Sequence, residues 1–255
     1  HEWTSQALKS GAANARAEGY TPSFAAADIT VKVRNNNQVQ VIALPFSVSG
    51  TQDAVNKTGV GMGSEYDYQK DLKYKELALD TDYELINNTI VTRDADAGTA
   101  GEMDGILAWA TGNRAVAGGG GLLTEDTYNA LGQILSENGE DADTVFCSGF
   151  QKRAITGWTT NIRRLTDGEK TYKNSIMKYD GDWGVQEVIH DKHIPTDTIV
   201  VCNMGYVKVA YLRPVEHQQL GRLGDKTLGY VLSELTLRVD APNTVGKITN
   251  LAQSA

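Results

Sequence analysis

The chain has 255 residues, of which 40% are hydrophobic, 22% charged and 7% aromatic, with a formal net charge of −8. Those proportions describe a folded chain with a proper core, one large domain or two small ones, and not a disordered one. The acidic balance argues against tight, phosphate-driven nucleic-acid binding, though not against a wall that merely encloses nucleic acid. No run approaches 18 consecutive apolar residues, and no charged-then-apolar leader opens the chain, so neither a membrane span nor a signal peptide is expected.

Residues 1–27 carry Trp3, Leu8 and an Ala/Gly-rich stretch from Gly11 to Gly19, and read as an arm with few core anchors. Two alternating strands follow, Ile29/Val31/Val33 and Val39/Val41, flanking the turn-prone run Asn35-Asn36-Asn37. This predicts a β-hairpin over about 28–48, with Pro45 demoting the outer part of its second strand. An isolated two-stranded ribbon is marginal in water and needs another surface to lie on. The glycine-rich run Gly59-Val-Gly-Met-Gly63 then leads to a helix predicted from Ser64 to Ile90, with Ser64 as cap and Glu65 in the first turn. At 1.5 Å per residue it would be about 40 Å long. Tyr68, Leu72, Leu79, Tyr83, Ile86 and Ile90 fall within a stripe about 60° wide, expected to pack inside the subunit. Arm, ribbon and rod together suit a subunit whose partners are copies of itself.

From Arg93 to Gly121 the chain is Gly/Ala-rich, with a short apolar element expected between Met103 and Ala110. A better-marked helix starts at Thr124, with Leu123 and Tyr128 at hydrophobic-staple spacing, and stops at Asn138-Gly139. Thr144 to Cys147 reads as a short buried strand, and Ser148 caps another helix carrying Phe150, Ile155, Trp158 and Ile162. After Asp167-Gly168 the pattern changes to strands: Tyr172–Tyr179, Val185–Ile189, Thr198–Cys202, Tyr206–Leu212 and Leu228–Val239, with a turn signal at Arg213-Pro214. The fold class is therefore α+β.

No credible catalytic set emerges. His190-Asp191-Lys192-His193 pairs two imidazoles with a carboxylate, but an extended chain points them in different directions and no third ligand is apparent. Asp94/Asp96 and Asp141/Asp143 read as solvated turns, lacking the donors of a calcium loop. The tetraglycine Gly118–Gly121 has no Lys-Ser/Thr pair after it, so it reads as flexible chain and not as a phosphate cradle. Cys147 and Cys202 sit in apolar runs and read as buried free thiols.

Several segments carry a family resemblance. Gln40-Val-Ile-Ala-Leu-Pro-Phe-Ser-Val-Ser-Gly-Thr51, Gly63-Ser-Glu-Tyr-Asp-Tyr-Gln-Lys70, Lys75-Glu-Leu-Ala-Leu-Asp80 and Glu84-Leu85 resemble the major head proteins of tailed bacteriophages, in the SU-ten-like branch. Tyr179-Asp-Gly-Asp-Trp-Gly184 through His193-Ile-Pro-Thr-Asp197 to Tyr211-Leu-Arg-Pro214, and Lys226 to Val239, are similar to that family's downstream pattern. The resemblance covers nearly the whole chain in order.

It implies the HK97-like fold, with residues 1–27 as N-terminal arm and 28–55 as an extended β-hairpin loop reaching a neighbour. Residues 56–102 would be the peripheral domain with spine helix 64–90, residues 103–215 mainly the axial domain, and residues 216–255 a return to the peripheral domain. The implied function is a major capsid protein that self-assembles, as hexamers and pentamers, into an icosahedral head enclosing double-stranded DNA without sequence-specific binding. No catalysis, cofactor, metal or membrane is implied. Portal, scaffold or decoration proteins are implied as further partners, and the virion, assembled in the host bacterial cytoplasm, as location. Arg34, Asn35, Asn36, Asn37 and Gln38 at the hairpin tip are the candidate inter-subunit contacts. Two other readings stay open, an encapsulin-like compartment of the same fold and a metal-dependent hydrolase using His190, Asp191 and His193.

Overall fold

The computed structural model describes residues 1–6, 8, 11–22, 30–55, 64–139, 141–158 and 178–253. Ile29, the glycine run 59–63, Ile162 and the start of the strand expected at 172–179 lie outside the described residues.

Two sheets share the interior. The smaller has the order β3-β10-β9, from β3 (Gln40–Ser49), β10 (Lys226–Val239) and β9 (Val207–Leu223), all antiparallel. The larger is a mixed sheet in the order β4-β11-β8-β5-β7-β6. Its strands are β4 (Ala115–Ala117), β5 (Thr144–Cys147), β6 (Lys178–Gly181), β7 (Gly184–His190), β8 (Ile199–Cys202) and β11 (Val245–Thr249). A separate ribbon pairs β1 (Glu2–Ser5) with β2 (Val33–Asn36).

Strand β8 shows why the interior divides in two. Its Ile199-Val200-Val201-Cys202 run is buried throughout, because both faces of the larger sheet are covered. Ile199 and Val201 face helices α4 (Glu125–Glu137) and α5 (Gly149–Trp158), with Leu131, Leu135 and Ile155. Val200 and Cys202 face Met103, Leu235 and Leu237, in the core shared with the smaller sheet and with α3 (Ile106–Trp109). A continuous apolar run is what a strand covered on both sides requires. Both helix starts are capped as their sequences predict, Thr124 Oγ1 accepting from the Thr127 N–H and Ser148 Oγ from that of Gln151.

Helix α2 (Glu65–Asn87) is the long helix predicted from Ser64 to Ile90. A short helix α1 (Gly50–Ala54) precedes it and supplies Asp53, whose Oδ1 accepts from the Glu65 N–H at 3.1 Å. A carboxylate there is favoured by the free N–H groups and the helix dipole.

The buried face of α2 is only partly the predicted one: Ile86 of the predicted stripe is buried, but most of the packing lies elsewhere. Tyr66, Tyr74, Leu77 and Leu85 lie within about 100° of one another and cover β3 and β10, with the Tyr66 ring 5.0 Å from that of Phe46. Leu72, Leu79 and Tyr83 belong to the opposite side. Leu77 is 1% exposed, whereas Leu79 is 45% and Tyr83 51% exposed. The helix has an apolar stripe on each side, and only one meets its own sheet.

Two other expectations are corrected. The hairpin over 28–48 does not form: the described part of its first strand pairs with Glu2–Ser5 and its second with β10, so Glu2–Ser5 is anchored and not part of a free arm. The molecule's long hairpin is β9–β10, turning at Gly224-Asp225, where Gly224 has the positive φ that a type II′ turn places at its first central residue. The turn expected at Arg213-Pro214 is instead a register shift within β9, an edge strand that tolerates proline's missing N–H. After β8 the chain passes into the smaller sheet at Val207 and, with β11, back into the larger one.

Because only one stripe of α2 is covered, truncating each stripe should have different costs. Leu77→Ala is expected to destabilise the chain by about 2–5 kcal/mol, and Leu79→Ala by no more than about 0.5 kcal/mol. Denaturant melts of the dispersed subunit check this, and equal losses would contradict the assignment of faces.

Candidate assembly interface

Strand β3 leaves β10 at Gln40, the last residue in register, opposite Leu235. Continuing the ladder would bring residues 38 and 36 to Leu237 and Val239, whose carbonyls need donors. Side chains supply them. Asn37 Nδ2 donates to the Leu237 carbonyl at 2.7 Å and to that of Asp104 at 3.1 Å, while its Oδ1 accepts from the Asp104 N–H at 2.8 Å. Trp3 Nε1 donates to the Val239 carbonyl at 2.9 Å, its ring 5.6 Å from that of Trp109. Buried Gln40 completes the clasp, its Oε1 accepting from Asn88 Nδ2 and the Met103 N–H.

Above this clasp the β1/β2 ribbon leaves the body of the molecule. Arg34 is exposed and paired with Glu2, and Asn35 Nδ2 donates to Ser5 Oγ at 2.8 Å. Beyond the ribbon all of residues 11–22 are exposed, turning at Gly19 with positive φ, and the Arg16 guanidinium sits 4.7 Å above the Tyr20 ring. Val33, on the ribbon face that Trp3 shares, is 59% exposed and Val31 just before the ribbon 79%, so the apolar edge anchored at Trp3 continues uncovered.

Of the five residues expected at a hairpin tip, Arg34, Asn35 and Asn36 are therefore in the ribbon, and Gln38 is half-buried behind it. Asn37 is buried and committed to its own subunit. Trp3 and the ribbon's first strand were missed. Their signal was one aromatic residue some thirty positions from its partner strand.

The groups considered for chemistry stay apart. Cys147 and Cys202 are free, on opposite faces of the larger sheet, one in each core. Burial pushes the Cys147 thiol up to about 11 and that of Cys202 to about 12, away from the thiolate. His193 lies against Asp82 and Tyr83 of α2, whereas His190 is exposed and stands beside Gly149 of α5. Asp191 Oδ1 accepts from the His193 N–H, and no cluster of three metal-ligating side chains occurs among the described residues. Asp94 caps its own turn, and Asp143 Oδ1 accepts from the Met204 N–H. The tetraglycine is tied down, Gly118 and Gly120 donating to the Thr249 and Asn250 carbonyls.

The model of the SU10 major capsid protein family matches residues 1–252. The chain belongs to that family. It is a phage major capsid protein, a component of the virion capsid that assembles with copies of itself. Solved structures agree on an HK97-like capsid fold. That of Microbacterium phage Oxtober96 matches at 14% identity and a TM-score of 0.62, covering 98% of this chain and 85% of that one. The capsid of the cyanophage P-SCSP1u matches at 14% identity and a TM-score of 0.62, covering 100% and 84%. The SrpI encapsulin complex of Synechococcus elongatus PCC 7942 matches at 10% identity and a TM-score of 0.61, covering 89% and 78%. No curated protein matches.

The thiols of this capsid protein should be silent in the native state. At pH 8 a disulfide reagent such as DTNB is expected to react only as fast as the subunit unfolds, and rapid labelling of the native chain would contradict their placement. Raised thiol values favour the neutral, folded form. That contribution to stability is present below about pH 8.5 and is lost as pH rises through the folded values, about 11 and 12.

Proposed function

We propose that this capsid protein builds an icosahedral phage head, in hexamers and pentamers, around double-stranded DNA, with the loop closed by the β1/β2 ribbon as its reach to a neighbouring subunit. The observation that carries this reading is the uncovered apolar edge of the ribbon, Val31 and Val33, rooted in a buried intramolecular clasp at Trp3 and Asn37. A ribbon fixed at one end and bare along its length gains its missing burial only from a second surface. Arg34, Asn35, Asn36 and Gln38 would stand at the root of that contact, with Asn37 positioning them.

The role is mechanical. A net charge of −8 suits a wall that holds DNA by containment and not by phosphate contacts. The domain reading follows the two sheets: the smaller sheet with α2 as peripheral unit, the larger with α4 and α5 as axial unit. Assembly in the bacterial cytoplasm, and portal, scaffold or decoration proteins as further partners, complete the proposal. The encapsulin reading rests on fold likeness at 10% identity, whereas the family match spans residues 1–252, so the phage head is the better-supported reading.

Negative-stain microscopy of the expressed chain tests the proposal. Closed shells, hexamers or pentamers are expected, and a stable monomer that never assembles would count against it. The double variant Val31→Asp/Val33→Asp is expected to keep its fold, with Tm within about 2 °C of the parent because both sites are exposed, and to lose shells. Normal yields of shells from that variant would remove the ribbon from the interface.

A further inference from the structure

The two sheets are tied together at the C-terminal end of α2 by one residue of the loop between β7 and β8. His193 donates its main-chain N–H to Asp191 Oδ1 at 2.7 Å, and its main-chain carbonyl accepts from Asn87 Nδ2 on α2 at 2.8 Å. Both bonds fix the backbone. The imidazole meets the Tyr83 ring edge-on at 5.9 Å between centroids, and Nε2 lies 3.6 Å from Asp82 Oδ2. That gap is too long for a hydrogen bond, and Nε2 is buried without a hydrogen-bond partner. A buried ring nitrogen beside a carboxylate, on a fixed backbone, is a contact that one proton completes.

The geometry points to His193 as a proton-tightened clasp between helix α2 and the β7–β8 loop, closed when the imidazolium pairs with Asp82 and slack when the ring is neutral. The charged and titratable groups around it are Asp82 and Tyr83 from α2, and Asp191 and Lys192 from its own loop. Two carboxylates against one lysine leave the site short of positive charge, which the imidazolium supplies. The bond so formed would be charge-assisted and closer than 3.6 Å.

Histidine is the side chain whose charge ordinarily changes between pH 5 and 8, so the pair is expected to hold at pH 5.5 and to slacken at pH 8.0. Burial, then the neighbouring Asp191, holds the Asp82 carboxyl above its usual range, and a charged His193 works against that shift. The clasp lies within one chain, so its failure and that of the assembly reading are distinguishable.

Thermal melts of the full-length subunit at pH 8.0 and 5.5 test this with His193→Gln and Asp82→Asn, neither of which can form the ion pair. The parent's change in Tm between the two pH values is expected to exceed that of either variant by about 2–4 °C in the stabilising direction at pH 5.5. The double variant should lose no more than one single variant does, because the two residues act as a pair. Identical pH dependence in parent and His193→Gln would overturn the proposal. Hydrogen exchange of the parent alone, corrected for intrinsic rates, is the second measurement. Residues 191–197 and the last turn of α2 should be better protected at pH 5.5 than at 8.0, and equal protection would also overturn it.

Discussion

Two side-chain donors at the end of β10 decide the shape of this subunit. Strand β10 is paired on both edges, and its side chains are buried on both faces from Val231 to Leu237. A strand so placed cannot leave carbonyls unsatisfied without a cost of about 1–3 kcal/mol each. Where β3 departs, Asn37 and Trp3 take over the carbonyls of Leu237 and Val239. Those two bonds let the chain exit the sheet at Gln40 with no orphaned backbone there. They also root the ribbon in a strand that is paired on both edges.

What the ribbon and helix leave bare follows from that exit. Val31 and Val33 stay exposed beyond the anchor at Trp3. Helix α2 also leaves Leu79 and Tyr83 exposed on the side away from its own sheet. A capsid subunit needs large contact area without a large flat hydrophobic face, and projecting elements distribute it. One uncovered edge and two exposed apolar side chains of α2 on a single chain fit a protein whose fold is completed by its neighbours.

Much of this was legible in the sequence, and what was not has physical reasons. The extent of α2 was readable because Ser64, Glu65 and the charge pattern mark a helix whatever it packs on. Its buried face was not, since Leu77 and Leu79 are equally apolar and only the position of β10 selects between them. Strands β5, β8 and β10 were visible as apolar runs because covered strands are apolar on both sides. The pairing of β2 was misread because Asn35-Asn36-Asn37 has turn chemistry. Asparagine favours turns because its side chain imitates a backbone donor and acceptor, and Asn37 uses that same capacity against Leu237 and Asp104. Family resemblance supplied the function that no local motif could.

The account's central claim is that this subunit is incomplete alone at the ribbon. Hydrogen–deuterium exchange on dispersed subunits and on assembled particles tests it most directly. The account predicts that residues 11–22 and 30–36 exchange quickly in the dispersed chain and become protected on assembly. Residues 231–237 of β10 should be protected equally in both. Rapid exchange of residues 11–22 and 30–36 in intact particles would contradict it.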